Sequence, residues 1–163
     1  MPLIKVQDTQ NIDKKDKKIL RALFEDGRMS IANIAKRTKL RRDTIARRIK
    51  KLRKNDVITS ILPTLNPPAL GYPNLSVVLF RVRTLTDSER TDLDSKLKKN
   101  KFIIHISKLI GKYDYYCAIV YEDAKHLHEI VDEIEHYIPN LIEAFEFLQV
   151  VDEPKFERME DLL

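Results

Sequence analysis

Residues 30–54 read SIANIAKRTKLRRDTIARRIKKLRK, and the spacing of their apolar positions decides the fold of the first part of the chain. Ser30 can cap a helix whose inward positions are Ile31, Ile34 and Ala35, which predicts a helix over 31–38. Lys39 and Leu40 make a tight turn. Ile45, Ile49 and Leu52, spaced by four and then three, predict the next helix over 42–53. Upstream, Ile19, Leu20, Leu23 and Phe24 give one apolar side to a helix over 13–25. Asp13 is its N-cap, and Gly27 follows its end as a C-terminal glycine. Three helices with short connections, the last two a few residues apart, form a helix-turn-helix.

The charge distribution says what such a unit meets. Residues 1–60 hold 18 Lys/Arg against 7 Asp/Glu, a surplus of +11, whereas residues 61–163 hold 12 against 18, a surplus of −6. The basic part suits a polyanion, and the acidic part would be repelled by one. Within 41–54, Arg41, Arg42, Arg47, Arg48, Lys50, Lys51, Arg53 and Lys54 stand against the single acid Asp43. The inward positions are apolar, so the cations occupy the remaining faces. Arg donates two hydrogen bonds to guanine O6 and N7, and both Arg and Lys pair with phosphates. The early residues of the second helix of a helix-turn-helix reach base edges. Arg41, Arg42, Thr44 and Arg47 are therefore the expected base readers. Arg48, Lys51 and Lys54 are the expected phosphate contacts, and Ser30 at the start of the preceding helix joins the set. The partner implied is double-stranded DNA.

Downstream, residues 57–65 are rich in β-branched residues and broken by Pro63, which predicts a short strand or hairpin, a wing. Asn66-Pro67-Pro68 and Gly71-Tyr72-Pro73 then stiffen a linker. The second half alternates: strand 75–82, helix 88–99 beginning near Asp87, strands 102–110 and 113–121 joined at Gly111-Lys112, helix 125–137, and a last strand over 142–151. The order βαββαβ is ferredoxin-like, so the chain as a whole is α+β. The expected division is a helix-turn-helix domain over 1–60, a hairpin and linker over 61–73, a ferredoxin-like domain over 74–152 and a tail over 153–163. Strand 75–82 is apolar on both faces. Two helices cover one face, and the other needs a second copy of the chain.

Other chemistries find little support. His105, His126, His128 and His136 have no completing Cys or carboxylate spacing, so they read as ordinary histidines and no metal is expected. No nucleophile triad, phosphate loop or paired-carboxylate motif points to an enzyme, and no cofactor is implied. The single cysteine, Cys117, forms no internal disulfide. No apolar run approaches the roughly 20 residues that span a bilayer, and residues 1–11 lack the apolar core of a signal peptide. A cytoplasmic protein with no membrane partner is expected.

These residues together resemble the Lrp/AsnC, or feast/famine, family of transcriptional regulators over about residues 12–152. The signature comprises Ile12-Asp13-x-x-Asp16, Ile19-Leu20-x-x-Leu23, Asp26-Gly27-Arg28-Met29-Ser30, Ile34-Ala35, Arg47-Arg48-Ile49-x-x-Leu52, Val57-Ile58, Leu65-Asn66-Pro67 and Leu70-Gly71. In the second half it continues with Gly111-Lys112-Tyr113-Asp114-Tyr115 and Ile138-Pro139. The resemblance implies a regulator that dimerises through its ferredoxin-like domain and assembles further, into tetramers or octamers. It also implies an amino-acid effector near 111–114, with Gly111 allowing close approach, Tyr113 covering the side chain and Asp114 pairing with the α-ammonium. Lys39 and Asp56 stand where the family often has glycine, Arg41 where it often has a capping Ser, and Ile110 where a hydroxyl residue is common. The alternative reading is an enzyme resembling the haem-biosynthesis decarboxylases that act on sirohaem, for which the basic surplus of residues 41–54 would have no use.

Overall fold

The computed structural model describes residues 10–138, 140–154 and 159–163. Two compact units emerge: one from Met1–Thr64 with Lys155–Leu163, the other from Leu65–Pro154.

The first unit is built on α1 (Lys14–Glu25), α2 (Ile31–Thr38) and α3 (Arg42–Lys54). Asp13 caps α1 by accepting the Lys15 and Asp16 N–H groups at 2.7 and 2.9 Å, and the Asp16 side chain returns a bond to the Asp13 N–H. Ser30 caps α2 through the Asn33 N–H at 3.2 Å. Ile19, Ala22, Ile34 and Ile45 form the core, with Leu23, Leu40 and Ile49 packed around it. Ile31, expected inward, is half-exposed at the first turn of α2.

Two expectations need correction. No strand forms between Lys54 and Pro67, so the wing is absent among the described residues. The Val57 and Ile58 N–H groups instead bond the Leu52 carbonyl at 2.9 and 3.2 Å and close the end of α3. Pro63 offers no N–H, and residues 59–66 lie exposed with no strand to pair. Gly27 does not end α1 in a left-handed conformation either; Asp26 is the cap, in extended backbone. A Cβ there would stand 2.8 Å from Ile61 Cγ2, so a side chain at 27 would force Ile61 to shift.

The second unit contains β1 (Asn74–Val82), α4 (Asp87–Lys99), β2 (Ile103–Lys108), β3 (Tyr115–Tyr121), α5 (Ala124–Glu135) and β4 (Ile142–Gln149). The sheet is antiparallel throughout, in the order β2-β3-β1-β4. This is the expected ferredoxin-like arrangement. Thr86 and Asp123 cap the two helices. Val78 and Phe80 of β1 with Tyr115, Cys117 and Ile119 of β3 meet Leu93, Leu97, Ile130 and Ile134 of the helices. Phe80 and Tyr115 stack with centroids 5.1 Å apart. Burial pushes the Cys117 thiol up to about 12, which keeps it protonated and unreactive. No helix among the described residues is long and apolar enough to cross a membrane. Pro139 of the expected Ile138-Pro139 pair lies outside the described residues.

Candidate nucleic-acid interface and effector turn

The cations of α3 sort by what they touch. Arg41, Arg42, Arg47, Lys50, Lys51, Arg53 and Lys54 are exposed, while Ile45 and Leu52 face the core and Thr44 is half-buried. Arg41 stands at the N-cap position of α3 and makes no side-chain cap bond, since a donor-only guanidinium cannot accept from the helix N–H groups. The helix presents a cationic solvent face backed by an apolar one, which is what recognition of a phosphate backbone and groove edges requires. Ser30 is committed to capping α2.

Arg48 departs from its expected role. Its Nη1 bonds Asp13 Oδ2 at 2.7 Å and Asp16 Oδ1 at 2.8 Å, and the Asp16 side chain is only 4% exposed. The guanidinium is thus held inside the unit, between α3 and the start of α1. Asp16 occupies the core-facing side of α1 with Ile19 and Ala22. The two carboxylates raise the Arg48 pKa further. Asp13, Arg47, Arg48 and Lys51 line a shallow concavity at this junction. The tie holds the recognition helix to α1, a role that a count of cations along α3 does not reveal.

The turns flanking α3 use left-handed backbone without glycine. Lys39 has φ 59° and Asp56 has φ 52°, where glycine would be at ease. The buried Thr38 hydroxyl donates to the Ile34 carbonyl at 2.7 Å, a bond within the last turn of α2.

In the second unit, the expected effector residues meet at the end of the sheet. Gly111 has φ 150° with open space around it, a backbone that a side chain would strain. Tyr113 Oη donates to Glu146 Oε2 of β4 at 2.6 Å, a partner that sequence spacing did not point to. Lys112 Nζ lies 4.8 Å from the Tyr113 ring centroid. Asp114 is largely a structural tie. Its Oδ2 accepts the Val82 N–H at 2.9 Å, its N–H donates to the Phe80 carbonyl at 3.0 Å, and its carbonyl accepts the Leu109 N–H at 2.8 Å. Ile110 is fully exposed beside this turn.

The histidines are scattered. His126 packs edge-on to Phe102 at 4.3 Å, His105 bonds the Ser107 hydroxyl at 2.8 Å, and among the described residues no metal-binding cluster forms.

Comparison with known proteins gives this geometry a context. A model of the AsnC-type helix-turn-helix domain matches residues 12–53. The HTH-type transcriptional regulator FL11 of Pyrococcus furiosus is 33% identical over 123 residues, spanning 76% of this chain and 80% of that protein. Among solved structures, the transcriptional regulator of Neisseria meningitidis in complex with L-methionine superposes with a TM-score of 0.82 at 22% identity, covering 94% of this chain and 100% of that one. The feast or famine regulatory protein of M. tuberculosis, complexed with L-methionine, gives a TM-score of 0.78 at 20% identity over 91% and 97% of the two chains. At these identities the two structures speak to the fold.

Proposed function

Because the chain belongs to the Lrp/AsnC family of transcriptional regulators, we propose that it grips duplex DNA through the cationic face of α3, works as a dimer built on its second unit, and answers to an amino acid. The observation that carries the DNA reading is the exposed run of cations on α3 above a packed apolar side. Arg41, Arg42, Thr44 and Arg47 are the proposed base contacts, and Lys51 and Lys54 hold phosphates. Arg48 is a positioning residue, since its guanidinium already serves two carboxylates.

Fluorescence anisotropy with a selected duplex and a random one tests this. Each neutralised phosphate contributes about −0.9 to the slope of log K against log salt. Lys51→Ala is expected to weaken both duplexes alike and to flatten the slope by about one. Arg47→Ala is expected to cost about 1–3 kcal/mol on the selected duplex and to relax preference at particular base pairs. An affinity independent of salt overturns the reading, and equal losses on both duplexes move Arg47 to the phosphates.

The amino-acid reading is supported by the two structural neighbours that carry L-methionine and by the Asp114 carboxylate, half-buried at the turn, of which Oδ2 accepts the Val82 N–H. Asp114→Ala would confuse two effects, because it also strands the Val82 N–H. Asp114→Asn keeps an acceptor there and removes the charge. With L-methionine as the calorimetric probe, the Asn form is expected to bind at least about tenfold more weakly, as loss of a charged hydrogen bond implies, with an unchanged melting temperature. Equal affinity in the Asn form places the ammonium elsewhere.

A further inference from the structure

The last described residues, 159–163, belong to the unit that carries α3, although they follow the last strand of the other unit in sequence. A 3-10 turn at Glu160–Leu162 packs on α1, and the Arg21 guanidinium donates to the Leu163 main-chain oxygen. Arg21 ends a basic stripe. Lys14, Lys17, Lys18 and Arg21 recur at the three- and four-residue spacing of one helix side, away from the buried Asp16, Ile19 and Ala22. The docked segment brings two acids, Glu160 and Asp161, to that basic helix.

We propose that residues 159–163 act as a strap: an acidic segment of the chain itself, docked on the basic side of α1, that competes with a phosphate backbone for this unit. The competition does not require the strap to cover α3. A unit of about 60 residues has a radius of gyration of roughly 10 Å, close to the Debye length of about 10 Å at 0.1 M salt. Two carboxylates carried by the docked segment therefore lower the potential that α3 presents to DNA. Phosphates approaching the unit are repelled by the docked acids and favoured by their release, so binding and undocking are coupled. The chain can in this way hold down its affinity for random DNA.

The proposal rests on the DNA reading above, and its test keeps the two apart by using heparin as a second polyanion. Backbone order parameters of 159–163 are measured in the full chain, free and with heparin. They are expected near the rigid value of about 0.85 when free and below about 0.6 when heparin displaces the strap. Arg21→Ala should lower them without heparin. In parallel, Glu160→Gln with Asp161→Asn is expected to tighten binding to a random duplex about three- to tenfold in 50 mM salt, with the gain fading as salt screens the charges. Order parameters below about 0.6 in the free wild type overturn the strap, as does an unchanged or weaker affinity of the neutralised chain. A heparin-displaced strap with no duplex binding by either chain keeps the strap and overturns the DNA reading.

Discussion

Replacing Arg48 by Ala is expected to cost the first unit about 3 kcal/mol, within the range of 3–5 kcal/mol for breaking a buried ion pair by removing one partner. Asp16 is the reason. Its side chain is 4% exposed and sits beside Ile19 and Ala22 on the core-facing side of α1. Without the guanidinium at 2.8 Å, the carboxylate would keep its desolvation and lose its counter-charge. The low end of the range applies because the Arg48 side chain retains 19% exposure. A unit of about 60 residues holds only roughly 3–9 kcal/mol in total, so the variant should be partly unfolded at ambient temperature and should lose DNA binding with its fold. Removing both charges, with Arg48→Met and Asp16→Leu together, is expected to recover most of the loss. Acid separates the contributions further. The Asp13 carboxyl is held at about 2, below its ordinary 3.8, first by the Asp16 N–H and then by the Arg48 guanidinium. A folded value below the unfolded one means that its stabilisation is complete above about pH 4 and is lost as pH falls toward 2. Arg48→Ala should therefore flatten the acid loss without abolishing it. Urea unfolding of the full chain from pH 2 to 7 reads all of this; a change of under about 0.5 kcal/mol at pH 7, the scale of a surface substitution, would sink the account.

How much of this was legible beforehand depended on whether the signal was local. The three helices of the first unit follow from caps and apolar spacing, and Asp13, Ser30, Ile34 and Ile45 behave as those rules require. The βαββαβ order followed from alternating elements in the same way. What failed needed a partner far away in sequence. A wing over 57–65 required a pairing strand, and β-branched composition alone does not supply one. Arg48 looks like its neighbours in a run of cations, and only the 32-residue separation from Asp16, closed by folding, distinguishes it. Asp16 entered the sequence reading only as part of a motif, and no apolar spacing marks it as inward, yet it is buried. Gly27 was recognised as significant for the wrong reason, because its neighbour Ile61 is equally invisible to local rules. Asp114 lies in the strand-to-strand turn as expected, but its bond to Val82 is a cross-strand contact that spacing cannot reveal. The docking of 159–163 on α1 carried no pattern at all.

The proposed dimer makes the other large prediction. Helices cover the sheet face that holds Val78 and Phe80. On the opposite face, Leu75, Val77 and Leu79 of β1 pair across from Val120, Ala118 and Tyr116 of β3, and Leu148 of β4 lies opposite Val77. Val77 stands in the middle of this apolar field, half-buried, with Leu148 46% exposed at its side. A symmetric pair of copies would bring Val77 into the interface twice, once from each chain. Val77→Asp then introduces two carboxylates, each with a desolvation penalty of several kcal/mol. The dimer dissociation constant should rise at least about a thousandfold, since each 1.4 kcal/mol is tenfold. The separated chain should stay folded, because Val77 lies outside the helix-covered core. Val78→Asp is the contrast: at 2% exposure its charge would enter that core and unfold the unit. Sedimentation at micromolar concentration distinguishes the two, with a folded monomer for Val77→Asp and an unfolded chain for Val78→Asp. A dimer presents two copies of α3 to half-sites about 34–36 Å or a multiple apart. The folded Val77→Asp monomer should therefore bind a two-half-site duplex no better than a single half-site. A wild-type chain that is monomeric at micromolar concentration, or a Val77→Asp chain that dimerises as the wild type does, would show that this face is not the interface.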